Sequence, residues 1–513
     1  MDREDYRSTL PRFREATEAF YSGGMTAKEY KSISGGYGSY AQRGGKTGMV
    51  RLRLSGGRIT PEKLGFICGC IEEYRPSKVH LTTCQSVQLH GLSPEAIPEI
   101  VGSAIDADII TFGGGGDYPR NVTATTLSGI IPSSEFDVLP YAEAAGKYLL
   151  DIAFGKKLPR KLKVGFTSTM ENIADATARD LGFVAESNGK FGVYSGGGLG
   201  TNPKLGLLVR DGLDPKDVFA CLSAMVSMFM SRGNYQDRSR ARVRYMRDDL
   251  GDAEYVGKFN EELDKALADP SIPKADPDPI VIDKTGDGSV PTTAYAKRQK
   301  QDGLFYVRYH PIGGDPRPEK ILELRDAVEG IESAEIRIGP NQTLYVVNLT
   351  GSEADMIASV LSDGAATMFE ASTSCVGNSI CQTGLRDSNG LLRKLFDMEK
   401  ENGFADGTLP MVRISGCQSS CSAHQLGTIG LKGAPSIEGE PTFEISANGS
   451  HVLGKERLGT VLGRVREKDI PGLFRDIGKA VESSGKGTFR GWCDGDASRI
   501  AEIAGDRLIE RMP

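Results

Sequence analysis

Apolar and polar positions alternate along residues 49–54, the period of a half-buried strand. The period then lengthens: Leu64, Ile67, Cys68 and Ile71 fall at helical spacing within 61–73. Alternation returns over 78–83 and 86–91 around a short turn, and 94–104 is again helical in pattern. The predicted order is strand, helix, strand, strand, helix.

The same pattern occurs twice. Sliding the chain 257 positions along itself lays "MVRLRLSGGRITPEKL" (49–64) on "YVRYHPIGGDPRPEKI" (306–321) without a gap, with seven identities in sixteen residues. At the same offset "VHLTTCQSVQL" (79–89) falls on "IRIGPNQTLYV" (336–346), and Gln85 meets Gln342. Duplication accounts for this register. The β-α-β-β-α order predicts a ferredoxin-like half in each copy. Between the copies, 268–293 is rich in Pro, Asp and Gly and reads as a linker. The expected division is an N-terminal extension over 1–45, a first ferredoxin-like half over 46–118 and an α/β domain over 119–267. A linker over 268–300, a second half over 301–363 and a second α/β domain over 364–513 follow. The fold class is α+β, internally duplicated.

Composition narrows the function classes. A chain of 513 residues, 39% hydrophobic and 25% charged, has the composition of a soluble protein of several domains. A net charge of −6 offers no electrostatic case for nucleic acid. No apolar run reaches the ~18 residues of a membrane span, and the charged N-terminus lacks the apolar core of a secretory signal. No nucleic acid and no membrane is expected, and the location is expected to be cytoplasmic.

Nine cysteines are an odd number and too few for a disulfide scaffold. Cys68 and Cys221 sit among apolar residues and read as small buried hydrophobes. Four others cluster: Cys375 and Cys381 in "CVGNSIC", then Cys417 and Cys421 in "CQSSC". Four thiolates hold either zinc or an iron–sulfur cluster. The five-residue gap fits a zinc knuckle poorly, and a wider 4Fe–4S cube tolerates it.

C-x5-C followed by C-x3-C in a duplicated chain of this size resembles the siroheme-containing nitrite and sulfite reductases. The resemblance runs from about residue 35 to 500, through "GGYGSYAQRGGKTGMVRLRLSGG" (35–57), "GGGGDYPRNVTATTLSGI" (113–130) and "KLPRKLKVGF" (157–166). It implies a 4Fe–4S cluster on Cys375, Cys381, Cys417 and Cys421, with Cys421 also the axial ligand of siroheme iron. It further implies a pseudo-two-fold arrangement around the cofactor site. Arg51, Arg120, Lys161 and Lys163 are implied as catalytic cations around a small anion, sulfite or nitrite. Arg51, Arg120, Asn121, Arg242 and Arg244 are implied as cofactor contacts. Fixed positive charge suits an anion whose oxygens leave as water.

Paired lysines in "RKLK" (160–163) look like the sulfite branch. The reaction so implied is six-electron reduction of sulfite to sulfide. Nitrite reduction to ammonia is the alternative, and a cluster-only electron-transfer protein is a further one. No ferredoxin-type cysteine run or flavin motif is present, so an external ferredoxin or flavoprotein is the expected donor. The chain departs from the family pattern at His80 and Cys84, where arginine is usual. It departs again at Ser419 and Ser422, in a cluster turn that usually carries Asn and Gly. His424 follows that turn as a candidate donor to the site or a structural histidine. The glycine run 194–200 lacks the order of a dinucleotide-binding loop and reads as backbone approaching the tetrapyrrole, whereas 35–41 matches that loop weakly, without a clear preceding strand, and reads as a loop.

Overall fold

The alternating run at 49–54 forms the strand Gly48–Arg53, and the helical run forms Pro61–Tyr74. The strands Lys78–Leu81 and Ser86–Leu92 and the helix Ala96–Ser103 complete the predicted order. The computed structural model describes residues 3–493 and 495–510. In the second copy the corresponding elements are Phe305–Tyr309, Pro318–Val328, Glu335–Ile338, Leu344–Leu349 and Gly351–Val360.

Two side chains from the repeat tie the halves together. Gln85 Nε2 donates to the carbonyl of Ile338 at 2.8 Å, and Gln342 Nε2 donates to the carbonyl of Leu81 at 3.0 Å. At the repeat offset Gln85 corresponds to Gln342 and Leu81 to Ile338, so the bonds are reciprocal, as a local two-fold requires. Both glutamines have positive φ, 53° and 65°. The strand Arg58–Ile59 of the first half extends the second half's sheet, Ile59 opposite Ile336. One apolar core runs through both halves, with Leu52 and Leu89 from one copy and Val307 and Val346 from the other. The glycine pair shared by the repeats turns with positive φ in each copy: 67° and 78° at Gly56 and Gly57, 65° and 76° at Gly313 and Gly314.

Two boundaries differ from the expected ones. The N-terminal segment is no separate extension: its helices bury Tyr6, Phe13 and Tyr30 in the ferredoxin-like core, and its strand Ser39–Ala41 pairs with Gly48–Val50. An edge strand satisfies its own backbone groups and covers its neighbour's. The linker ends early, because Ala296–Arg298 pairs with Phe305–Val307.

Contacts divide the chain into two units. The first joins the chain through Gly198 with Lys204–Tyr309 and Pro316–Ser362, so it contains both ferredoxin-like halves and the first α/β domain. The second joins Leu199–Pro203, His310–Asp315 and the chain from Asp363 onward. Each α/β domain holds a five-stranded sheet of the same design. In the first, Thr123–Ala124, Val164–Thr167 and Leu181–Ala185 are parallel neighbours, and two antiparallel strands follow. In the second, Thr373–Ser374, Val412–Ser415 and Ile429–Ile437 repeat that order. No described helix is long and apolar enough to cross a membrane.

Candidate functional site

In the first unit, the strand Gly48–Arg53 alternates, so Arg51 and Arg53 share a face opposite the fully buried Leu52. Arg53 is buried and donates to the carbonyls of Phe112 and Arg120. Its burial, with the nearby Arg120 charge, lowers its pKa to about 9. Arg51 is part-exposed and donates to the carbonyl of Gly114. Arg120 reaches the same glycine loop, donating to the carbonyls of Gly113 at 3.0 Å and Gly116 at 2.8 Å. Its pKa is lowered to about 10, by burial first and then by Arg51 among others.

The lysines are brought alongside by backbone pairing. Arg120 N–H donates to Leu162 at 2.8 Å, which lays 119–120 against the residue between Lys161 and Lys163. Asp180 fixes the other side: its carboxylate accepts from Lys163 N–H at 2.8 Å and from Arg242 through Nη2 at 2.8 and 2.9 Å.

These cations converge on Cys84. Burial raises its thiol pKa, but the charges of Lys163, Arg179, Arg51 and Lys161 outweigh burial and bring it down to about 7. Of the four cations implied for the anion site, Lys163, Arg51 and Lys161 lower the pKa of Cys84, and Arg120 interacts by charge with both Cys84 and Arg51. Cys84 and Arg179 belong to this constellation too. Arg179 was not singled out in the sequence, and only its position just before Asp180 on the 164–185 fold would have suggested it.

Asn121 is placed beside the site without facing it. Its amide donates to the carbonyls of Leu54, Cys84 and Gln85 at 2.8, 2.8 and 3.0 Å. The geometry makes it a positioning residue for the Cys84 turn. Arg242 is largely committed to Asp180, whereas Arg244 stacks on Tyr245 with its guanidinium carbon 4.8 Å from the ring centre. A Cβ on Gly198 would lie 3.0 Å from Arg244 Nη1 and 3.4 Å from Arg242 Nη2, so this glycine leaves space over both guanidiniums. Such a cradle of cations fits the carboxylates of a tetrapyrrole. Three other arginines of 232–247 are paired with carboxylates: Arg247 with Asp252, Arg238 with Asp117 and Arg240 with Asp249. His80 turns inward and is buried, its Nε2 3.4 Å from Gln342 Nε2.

The cysteine quartet lies in the second unit. Cys375 follows the strand Thr373–Ser374, and its Sγ accepts from Gly416 N–H at 3.1 Å with Ser388 Oγ also at 3.1 Å. Cys381 Sγ lies 3.3 Å from Thr383 Oγ1. Cys417 lines an open cleft of about 510 Å³ with Gln418, Ser419, Lys432 and Arg464, and Cys421 is exposed. No three His, Cys, Asp or Glu side chains among the described residues are grouped closely enough for a single metal ion. N–H and hydroxyl groups directed at sulfur fit cluster-bound thiolates. His424 is buried, which lowers its pKa to about 3 and keeps the ring neutral. Cys68 and Cys221 are fully buried, as their apolar surroundings predict.

Residues 40–104 and 297–362 match the nitrite/sulfite reductase ferredoxin-like half domain. Residues 115–267 match the nitrite and sulphite reductase 4Fe-4S domain. The second match covers the first α/β copy, whose only cysteine is Cys221, and leaves the quartet outside it. The assimilatory ferredoxin-dependent nitrite reductase of Haloferax mediterranei is 24% identical, over 90% of this chain and 84% of its own. The NADPH sulfite reductase hemoprotein beta-component of Myxococcus xanthus is 25% identical, over 75% of this chain and 74% of its own. The structure of Mycobacterium tuberculosis NirA protein has the same fold, with a TM-score of 0.77 at 23% identity over 95% of this chain and 94% of that one.

Proposed function

The chain belongs to the nitrite and sulfite reductase family, and from that premise we propose that it reduces sulfite to sulfide with siroheme and a 4Fe–4S cluster. The observation that carries this reading is the convergence of Arg51, Lys161, Lys163 and Arg179 on Cys84, with Arg120 alongside. Neither an electron carrier nor a zinc-stabilised binding protein needs such a concentration of positive charge.

In this reading the cations bind the anion and stabilise negative charge as it develops. Arg51 and Arg120 are anchored to the glycine loop, so their positions are set before the anion arrives. Asp180 does the same for Lys163 through the backbone. Arg242 and Arg244 would hold siroheme carboxylates, and Cys375, Cys381, Cys417 and Cys421 would hold the cluster. When bound, these groups supply the electron path from an external ferredoxin or flavoprotein. Cys421 would be a ligand of the cluster and would also hold the siroheme iron.

Sulfite is preferred because both Lys161 and Lys163 are present. Nitrite is the second reading, favoured by the Haloferax relative, which matches 90% of the chain. The test is an absorption spectrum and an iron and sulfide assay on purified protein, then turnover of both anions with reduced methyl viologen. Siroheme bands with about five irons per chain, four of them in the cluster, and faster turnover of sulfite are expected. One zinc without acid-labile sulfide would overturn the reading. Faster turnover of nitrite would transfer it to the second anion.

A further inference from the structure

The glycine loop that anchors Arg51 and Arg120 holds a third side chain. Tyr40, on the strand Ser39–Ala41, points its hydroxyl into the loop and accepts from Gly116 N–H at 3.0 Å. Gly116 gives its carbonyl to Arg120, so one residue binds both the phenol and the guanidinium. Glycine makes the space: a Cβ on Gly115 would overlap the hydroxyl, and one on Gly35 would sit 3.3 Å from it. The phenol is half-buried in a wall of backbone.

The charges around it run one way. Burial raises the pKa of the phenol, and Arg120, Arg51, the Gly116 N–H and Lys31 together more than reverse this. These groups come from three separate segments: the strand Gly48–Arg53, the stretch carrying Arg120 and the helix Ala27–Ser34. Asp117 and Cys84 favour the charged form of Arg120.

Binding an oxyanion and protonating it require different groups. A guanidinium stays charged at any working pH, so it holds an oxygen without handing over a proton. We propose that Tyr40 is the proton donor of the anion site. Its O–H bond breaks as an O–H bond forms to an oxygen of the anion held by Arg51 and Arg120. No electron moves in this step. The phenolate left behind is balanced by the same two guanidiniums and regains a proton from water. A second proton, passed on by Tyr40 after it has been reprotonated from water, and electrons from the one-electron donor protein of the reductase reaction release that oxygen as water. The proposal rests on the reductase reading, and the experiment separates the two.

The test uses protein loaded with siroheme and cluster. Tyr40→Phe keeps the ring and removes the proton. Turnover of sulfite and nitrite should fall about 100-fold, the low end for a general acid, while KM, the siroheme bands and the melting temperature stay at wild-type values. Replacing Tyr40 with 3-fluorotyrosine, a more acidic phenol, should restore kcat and move the alkaline limb of its pH profile to lower pH. Independently of turnover, a 295 nm titration of wild type minus Tyr40→Phe should show one phenol ionising below the usual value near 10. Wild-type kcat in Tyr40→Phe would overturn the proposal alone, as would an alkaline limb unmoved by fluorotyrosine. A loaded wild-type protein that reduces neither anion would overturn the reductase reading, and the proposal with it.

Discussion

Asp180→Ala tests how the lysine strand is held. The carboxylate is fully buried, and its partner Arg242 is 10% exposed. Alanine removes the acceptor for three contacts from Arg242, at 2.8, 2.9 and 3.2 Å, and for the Lys163 N–H at 2.8 Å. Breaking a buried ion pair from one side costs about 3–5 kcal/mol, because the remaining charge has lost its partner. The orphaned N–H adds about 1–3 kcal/mol, with less than full additivity since both share one carboxylate. A loss of about 4–6 kcal/mol is therefore expected. Urea unfolding followed by far-UV circular dichroism measures it, read as a midpoint shift because a chain of several domains need not unfold in two states.

Asp180→Asn keeps an acceptor for Lys163 while losing the charge, so it should fall between wild type and alanine. Removing both charges in Asp180→Asn/Arg242→Met should recover much of the loss. A shift under about 1 kcal/mol for alanine, or a double variant as unstable as the two single effects added together, would refute the buried pair as the anchor of this strand.

Three further outcomes follow from the site. Lys163→Asn should slow sulfite reduction more than nitrite reduction in steady-state kinetics, and an equal loss on both anions would deny it a role in selectivity. Cys421→Ser should alter the siroheme absorption bands in samples that keep iron and sulfide, whereas Cys417→Ser should disturb the cluster and spare those bands; the reverse result would move the shared thiolate to Cys417. Cys84 should be alkylated by iodoacetamide with a rate that rises through pH about 7. The thiolate is the reactive form, so lowering the thiol pKa moves reactivity to lower pH. An inflection near the ordinary 8.5 would remove the cations from its surroundings.

The ferredoxin-like halves were legible because their periods are clean and their repeat keeps identities where geometry allows little choice. Gly56 and Gly57 must turn with positive φ, and Gln85 must reach a carbonyl across the local two-fold. The strand Ser39–Ala41 escaped notice because three residues are too few to show a period, and "GGYGSYA" reads as a loop until its partner is known. The cation site was legible only through resemblance. A lone arginine or lysine has no pattern, and nothing in "RKLK" shows that Lys163 is held by Asp180, seventeen residues later. Cys84 looked like a lost arginine. Its place among four cations depends on the turn that Asn121 fixes, which no local sequence rule describes.

The α/β duplication was nearly invisible in the sequence, yet it accounts for the position of the second cysteine pair. Residues 164–181 and 412–429 correspond at an offset of 248, with Val164 and Val412 almost the only identity. The backbone repeats regardless. Asn172 and Ser420 turn with φ of 46° and 52°, and Asp175 and Ala423 with 51° and 52°. A side-chain bond closes each loop between corresponding residues, Asn172 to Thr177 in one copy and Ser420 to Gln425 in the other. In the first copy Asn172 Oδ1 also accepts from Ala176 N–H at 2.8 Å, so the Asn172 side chain bonds at both ends within that loop. At the corresponding positions the second copy has Cys417 for Thr169 and Cys421 for Ile173. The turn that presents the thiols is thus present in a copy that has none, and its shape does not depend on a metal. Duplication provided two such loops, and only one carries thiols. This also explains how a model described as a 4Fe-4S domain matches residues 115–267, where the quartet is absent: it follows the module, which both copies share.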